Sequence, residues 1–293
     1  MSSVARRRLP ELTDASLKAT ANVIARNEFN EPVEGAIAVE RALTIYLDKR
    51  EIVTLMTLGN HPELLILGWL RNQRMVNDIE AIKAIQVDWE IDAVAITTHD
   101  GVKDLDARLD RKTVTTGCGQ GTVFGDLMED IEKISLPRPR LRQASIYALL
   151  TALNEYNDIY KSAGAVHGCA LCSEALGIEQ FIEDVGRHNA VDAIAGYMWL
   201  NDLEGADKLF YTTGRLTSEM VIKVALMGIP VLLSRSGITA MGLEIAQQVG
   251  VTLIARAKGR HFLVYHGAEL IEFDDMPPAK PRSNPHDSRH KLD

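Results

Sequence analysis

Ile178-Glu179-Gln180-Phe181-Ile182 runs directly into Glu183-Asp184-Val185-Gly186-Arg187-His188-Asn189, and this stretch decides the fold. Its first five residues read as a strand, and apolar residues at helical spacing take over from 187 to 200. The alternation then repeats: a strand over 208–211 and a helix over 216–227, a strand over 231–233 and a helix over 239–249, then a strand over 251–255. Apolar strands joined by helices imply a mostly parallel sheet, covered on both faces and connected by right-handed crossovers. Ligands on such sheets gather at the carboxyl ends of the strands. Here those ends are polar: Glu183 to Asn189, then Thr212-Thr213-Gly214-Arg215, then Ser234-Arg235-Ser236-Gly237.

Each of these loops has the composition of an anion site. Gly186, Gly214 and Gly237 let backbone N–H groups approach an oxyanion, each following helix N-terminus adds partial positive charge, and Arg187, Arg215 or Arg235 can grip a phosphate through paired hydrogen bonds. Asp184, Asn189, Thr213, Ser218, Ser234 and Ser236 add polar groups to the same edge. Thr213, Ser218, Ser234 and Thr239 read equally well as helix caps. Arg256, Lys258, Gly259 and Arg260 form a fourth basic loop, with a solvated turn between strands as the alternative. No loop matches G-x-x-x-x-G-K-[ST] or G-x-G-x-x-G, so neither a P-loop nor a dinucleotide fingerprint is present.

Upstream the pattern changes. Alternating residues between Ala36 and Leu58, broken at Asp48-Lys49-Arg50, predict a β-hairpin, and His61-Pro62-Glu63 opens a helix through Asn72. Residues 86–89 and 93–97 read as strands, and 139–157 as a helix leading into the second unit. The expected organisation is a flexible segment over 1–30, a β-rich part over 31–135, an α/β domain over 136–275 and a disordered tail over 276–293, rich in proline and charge.

Composition narrows the classes. A 46% hydrophobic content over 293 residues is ample for a core, and the net charge of −8 argues against general nucleic-acid affinity. The run Leu64-Leu65-Ile66-Leu67-Gly68-Trp69-Leu70 is far short of the ~20 residues that span a bilayer, and no apolar run follows Arg6-Arg7-Arg8, so neither a membrane span nor a signal peptide is expected. Three cysteines, an odd count, suit a reducing cytoplasm better than a disulfide scaffold. All three read as lying in glycine-rich or small-residue turns: Cys118 in Thr116-Gly117-Cys118-Gly119-Gln120-Gly121, and Cys169 and Cys172 in His167-Gly168-Cys169-Ala170-Leu171-Cys172. Flanking glycines give a partner access to sulfur, so Cys118 is the candidate functional thiol.

The run Glu183-Asp184-Val185-Gly186-Arg187-His188-Asn189-Ala190-Val191-Asp192, the run Thr213-Gly214-Arg215 with Ser218 and Glu219, the Ser234-Arg235-Ser236 loop and the upstream His167 together resemble the FdhD family, over about residues 32–271. The resemblance implies a cytoplasmic sulfurtransferase: it would take persulfide sulfur from a cysteine desulfurase and deliver it to the bis-molybdopterin guanine dinucleotide cofactor of formate dehydrogenase. It also implies a homodimer whose larger domain is cytidine deaminase-like. Cys118 occupies the place of the persulfide-bearing thiol, while Gly121 replaces the second cysteine of the family's Cys-Gly-x-Cys-Gly loop. Cys169 and Cys172 fall in a stretch the family usually writes with alanines, and read either as packing or as relay residues.

The implied chemistry assigns roles. A Cys118 thiolate attacks the donor's terminal sulfur, and His167 and His188 are candidates for tuning ionisation or moving a proton, or else core histidines. The arginine loops hold the cofactor's diphosphates as those of a bound substrate, and no permanent metal is expected. Two other classes compete. A zinc-binding, deaminase-like protein would use Cys118, His167, Cys169 and Cys172, although the H-x-E and P-C-x-x-C signatures are missing. A non-catalytic cofactor-binding chaperone would use the loops but not the thiol.

Overall fold

The structure, a computed structural model, describes residues 7–102, 105, 113–114, 121–122, 131 and 134–277. Strands β1 (Glu11–Leu12), β2 (Thr20–Arg26), β3 (Pro32–Ala38), β4 (Arg41–Leu47) and β5 (Arg50–Thr57) precede helix α1 (Pro62–Asn72). There follow β6 (Ile82–Asp88), β7 (Ala93–Thr98), β8 (Thr113–Val114), β9 (Gly121–Thr122) and β10 (Leu141–Arg142), then helices α2 (Gln143–Ala152) and α3 (Asp158–Ala163). The second half runs β11 (His167–Ser173), β12 (Gly177–Asp184), α4 (Arg187–Leu200), β13 (Lys208–Thr212), α5 (Ser218–Leu226), β14 (Val231–Ser234), α6 (Ala240–Val249), β15 (Thr252–Lys258), β16 (His261–His266) and β17 (Ile271–Glu272).

The first half obeys its alternation. Leu43, Ile45 and Leu47 of β4 are fully buried, and β4 and β5 form the expected hairpin. Asp48 and Lys49 make its two-residue turn with φ of 46° and 71°, the conformation that matches the twist of paired strands. These strands belong to a five-stranded sheet ordered β1-β6-β7-β4-β5. Residues 7–30, expected to be flexible, instead carry β1, which pairs with β6, and β2, which pairs with β3. Local composition hid them because backbone pairing to partners distant in sequence, such as Ile85 for Leu12, supplies their order.

The second sheet has six strands in the order β12-β11-β13-β14-β15-β16. The expected mostly parallel sheet is corrected here: β13, β14 and β15 are parallel neighbours, but β11 is antiparallel to both β12 and β13, and β16 is antiparallel to β15. Two strands account for it: β11, expected in a turn, is inserted as a buried strand, and β16 adds an antiparallel edge beyond β15. Because β11 runs backwards, β12 still points the same way as β13, β14 and β15, so the carboxyl ends of all four share one edge.

Helices cover both faces of this sheet. α4, α5 and α6 pack with Cys169, Leu171, Phe210, Leu232 and Leu253, whereas α2 packs on the other side with Cys172, Leu209, Tyr211, Val231 and Leu233. The helix expected over 139–157 is shorter: α2 ends at Ala152, and a 3-10 turn, Leu153–Glu155, follows. α4 buries eleven of its fourteen residues because α1 covers the side that the sheet does not. Their crossing is unusually close. A Cβ on Gly68 would lie 1.7 Å from the Asp192 carbonyl oxygen, and one on Gly196 would lie 1.9 Å from that of Leu64. At this crossing Asp192 is fully buried, accepts from Asn72 Nδ2 at 2.7 Å, and pairs with Lys223 Nζ of α5. One apolar cluster runs from Leu43 through α1 and α4 to Leu253, so both sheets share a core across residue 135.

Candidate functional site

The shared edge of the second sheet gathers most of the polar residues singled out in the sequence. His167 starts β11 between the ends of β12 and β13, opposite Asp184. Its Nδ1 lies 3.4 Å from Thr213 Oγ1, which also accepts the Gly168 N–H at 3.0 Å. Thr213 is therefore a bridge between strands, not a helix cap. Ser234 is likewise committed to the edge: its hydroxyl donates to the Gly214 carbonyl at 2.7 Å and accepts the Ser236 N–H at 2.9 Å. Arg235 N donates to the Thr212 carbonyl at 3.2 Å, and Arg256 N to the Ser236 carbonyl at 2.8 Å, which ties the loop after β14 to the end of β13 and to β15. Ser218 opens α5, and only Thr239 acts as a cap, accepting the Gly242 N–H.

The charges of Arg187, Arg215 and Arg235 are all felt at His167. Burial, reinforced by the charges of Arg187, Arg215 and Arg235, holds the His167 imidazole below its ordinary pKa, so the ring is neutral at pH 7. Arg187 passes over Gly214, where a Cβ would come within 2.8 Å of Arg187 Cδ. Glycine is required there for the arginine to reach the edge. Positive charge reaching a neutral imidazole from three loops raises the potential of this edge, which favours an anion that can accept bidentate hydrogen bonds.

Other expected site residues are used differently. Asp184 is 4% exposed and ties the two sheets: Oδ2 accepts the Thr57 hydroxyl at 2.6 Å and the Leu58 N–H at 3.2 Å, and Oδ1 accepts the Gly186 N–H at 3.0 Å and Asn189 Nδ2 at 2.8 Å. Asn189 also donates to the Met56 carbonyl. Both were expected to face a ligand, and both are buried in this network instead. Glu183 is committed elsewhere: its carboxylate accepts the backbone N–H groups of Ile159 and Tyr160 at 2.9 Å each. His188 is buried and sits 3.4 Å from Glu219; burial first, then the charges of Lys223 and Arg187, push its pKa down to about 2. It is a neutral core histidine. Arg260 turns away from the edge to bind Asp275 at 2.6 Å and lie over the Tyr147 ring, while Lys258 and Gly259 are exposed at the end of β15.

The cysteines divide. Cys118 lies outside the described residues. Cys169 and Cys172, expected in a turn, are buried in β11, and burial pushes both thiols up to about 12, which keeps them protonated. Cys169 donates its S–H to Thr212 Oγ1 at 3.3 Å. The two thiols belong to the apolar clusters on opposite faces of the sheet, so Cys169 and Cys172 cannot both ligate one ion as the zinc alternative requires. Sequence reasoning also missed Thr212, whose Oγ1 accepts the Gly214 N–H, and Tyr160, whose ring centroid lies 5.3 Å from Arg235 Cζ. Thr212 was within reach, as the residue preceding the Thr213-Gly214 pair. Tyr160 carried no signal in the linear order. No helix of the described residues is long and apolar enough to cross a membrane.

Comparison with known proteins gives a consistent answer. The model of the FdhD/NarQ family matches residues 38–272. The sulfur carrier protein FdhD of Wolinella succinogenes is 28% identical over 238 residues, 79% of this chain and 81% of the relative. That of Bacillus subtilis is 28% identical over 244 residues, 82% of this chain and 91% of the relative, and that of Shouchella clausii is 29% identical over 259 residues, 86% and 97%. A crystal structure of a Desulfotalea psychrophila protein, assigned as a formate dehydrogenase accessory protein, superposes with a TM-score of 0.70 at 26% identity, over 86% of this chain and 98% of that one.

Proposed function

The chain belongs to the FdhD/NarQ family, and from that premise we propose that it is a sulfur carrier serving formate dehydrogenase. It accepts persulfide sulfur from a cysteine desulfurase on Cys118 and delivers it to the bis-molybdopterin guanine dinucleotide cofactor, which it binds as a substrate. The protein acts in the cytoplasm as a homodimer, with a cytidine deaminase-like larger domain. The observation that carries the binding half of this reading is that the loops at the carboxyl edge of the second sheet bring the charges of Arg187, Arg215 and Arg235 to bear on His167. Such an edge fits the diphosphates of a dinucleotide cofactor. The buried, protonated state of Cys169 and Cys172 supports Cys118 as carrier, because a thiol held up to about 12 supplies almost no thiolate at neutral pH.

The transfer step balances without an oxidant. The Cys118 thiolate attacks the outer sulfur of the donor's cysteine persulfide, the new S–S bond forms as the donor's own S–S bond breaks, and the donor cysteine leaves as a thiolate. Intact-mass spectrometry after incubation with a cysteine desulfurase and free cysteine tests it. A gain of ~32 Da per sulfur atom in the wild type, absent from Cys118→Ala, is expected. Loading that survives in Cys118→Ala would move the carrier role to another cysteine. A Cys118→Ala protein that still restored formate dehydrogenase activity would replace the carrier reading with a chaperone.

A further inference from the structure

α3 is a six-residue helix with no buried side chain, and it connects to the arginine edge through space, not through sequence. Two hydrogen bonds tether it. The Glu183 carboxylate, at the end of β12, accepts the N–H groups of Ile159 and Tyr160, each at 2.9 Å. Charge-assisted bonds of this kind are roughly twice as strong as neutral ones, and both fall on α3's first turn. The tether sets the position of Tyr160, whose ring carries the guanidinium of Arg235 with Cζ 5.3 Å from its centroid. Among the described residues Arg235 is otherwise an exposed side chain held at its backbone, where its N–H donates to Thr212.

An arginine free to sample its rotamers loses that freedom when it captures an anion, and a face that holds it beforehand reduces the loss. We infer that Tyr160, held by Glu183, is a positioning residue of the anion edge, which keeps the Arg235 guanidinium aimed at the ligand that Arg187 and Arg215 also bind. This rests on the anion-binding reading of the edge. The aromatic face, and not the hydroxyl, does the positioning, because the guanidinium lies over the ring. Cation–π contact at an exposed site corresponds to about twofold to fivefold in affinity.

The test is isothermal titration of the full-length protein with inorganic pyrophosphate. Tyr160→Leu is expected to weaken binding about twofold to fivefold, Tyr160→Phe to retain wild-type affinity, and Glu183→Ala to match Tyr160→Leu. Tyr160→Leu should leave the thermal midpoint nearly unchanged, since no residue of α3 is buried. Combining Tyr160→Leu with Arg235→Ala separates positioning from general disturbance. If Tyr160 acts through Arg235, its replacement has no further effect once Arg235 is gone. Full additivity of the two changes, or unchanged binding in Tyr160→Leu when Arg235→Ala weakens it, overturns the inference and leaves the anion edge standing. Loss of affinity in Tyr160→Leu but not in Glu183→Ala overturns the tether. Absence of pyrophosphate binding by the wild type, or no effect of Arg235→Ala, sinks the anion-binding reading itself and this inference with it.

Discussion

Asp184→Asn separates a carboxylate that holds the architecture from one that faces a ligand. Four donors point at the Asp184 carboxylate, from Thr57 and Leu58 at the end of β5 and from Gly186 and Asn189 after β12. An asparagine keeps one oxygen and puts an NH2 group in the place of the other. Whichever way the amide turns, its N–H groups meet a backbone N–H, that of Leu58 or that of Gly186. Thr57 can rotate its hydroxyl to accept and Asn189 retains the Met56 carbonyl, so one backbone donor is left facing another donor. A buried unsatisfied group costs about 1–3 kcal/mol, and the charge-assisted strength of the remaining bonds is lost as well. Burial raises the Asp184 pKa, so removing the charge recovers part of its desolvation cost. The net destabilisation is about 2–3 kcal/mol, or roughly 4–12 °C in Tm for a protein of this size. Guanidinium chloride unfolding measures it, and the thiol loading and anion binding of the folded variant should remain close to wild type. Unchanged stability with lost anion affinity would refute the reasoning and return Asp184 to the ligand.

Gly68→Ala forces a methyl group into the Asp192 carbonyl oxygen and must spread α1 from α4; a loss of about 3 kcal/mol or more is expected in the same unfolding assay, and a neutral result would mean that the helices do not cross there. His188 is held down to about 2 when folded but titrates near 6.5 when unfolded, so below pH 6.5 the unfolded chain binds a proton that the folded chain does not. This contribution to stability is present above pH 6.5 and falls by about 1.4 kcal/mol per pH unit below it, and the difference between wild type and His188→Gln across pH 5–7 should show that slope. His61 and His167, also lowered by burial, leave a residual slope of the same sign in the variant. Cys169 and Cys172 should resist a thiol reagent at pH 8 in the native protein and react only on unfolding; prompt labelling of either would contradict their burial in β11.

The parts of this fold that were legible in the sequence are those whose information is local. α4 begins at Arg187 and ends at Leu200 as its periodicity required, and Asp48-Lys49 announced the β4–β5 turn. β11 was not legible, because His167-Gly168-Cys169-Ala170-Leu171-Cys172-Ser173 has no β-branched residue and little bulk. Its small side chains suit a central strand pressed between α2 and α4, a fact about its neighbours and not about itself. Missing that strand and the antiparallel β16 made the sheet seem mostly parallel, yet it left the edge correct, since β11, as one reversed strand, does not change the direction of the strands on either side, and β16 lies outside them. The same logic divides the site. Arg187, Arg215 and Arg235 follow strand ends and were readable one loop at a time. Asp184 and Asn189 sit in the same loops and carry the same polar character, but their partners Thr57, Leu58 and Met56 lie more than 120 residues away. A polar residue at a strand end is therefore half of an observation. Whether it faces the ligand or the neighbouring sheet is decided by what the rest of the chain brings against it, and here β5 reaches Asp184 while nothing but Tyr160 reaches over Arg235 among the described aromatic contacts.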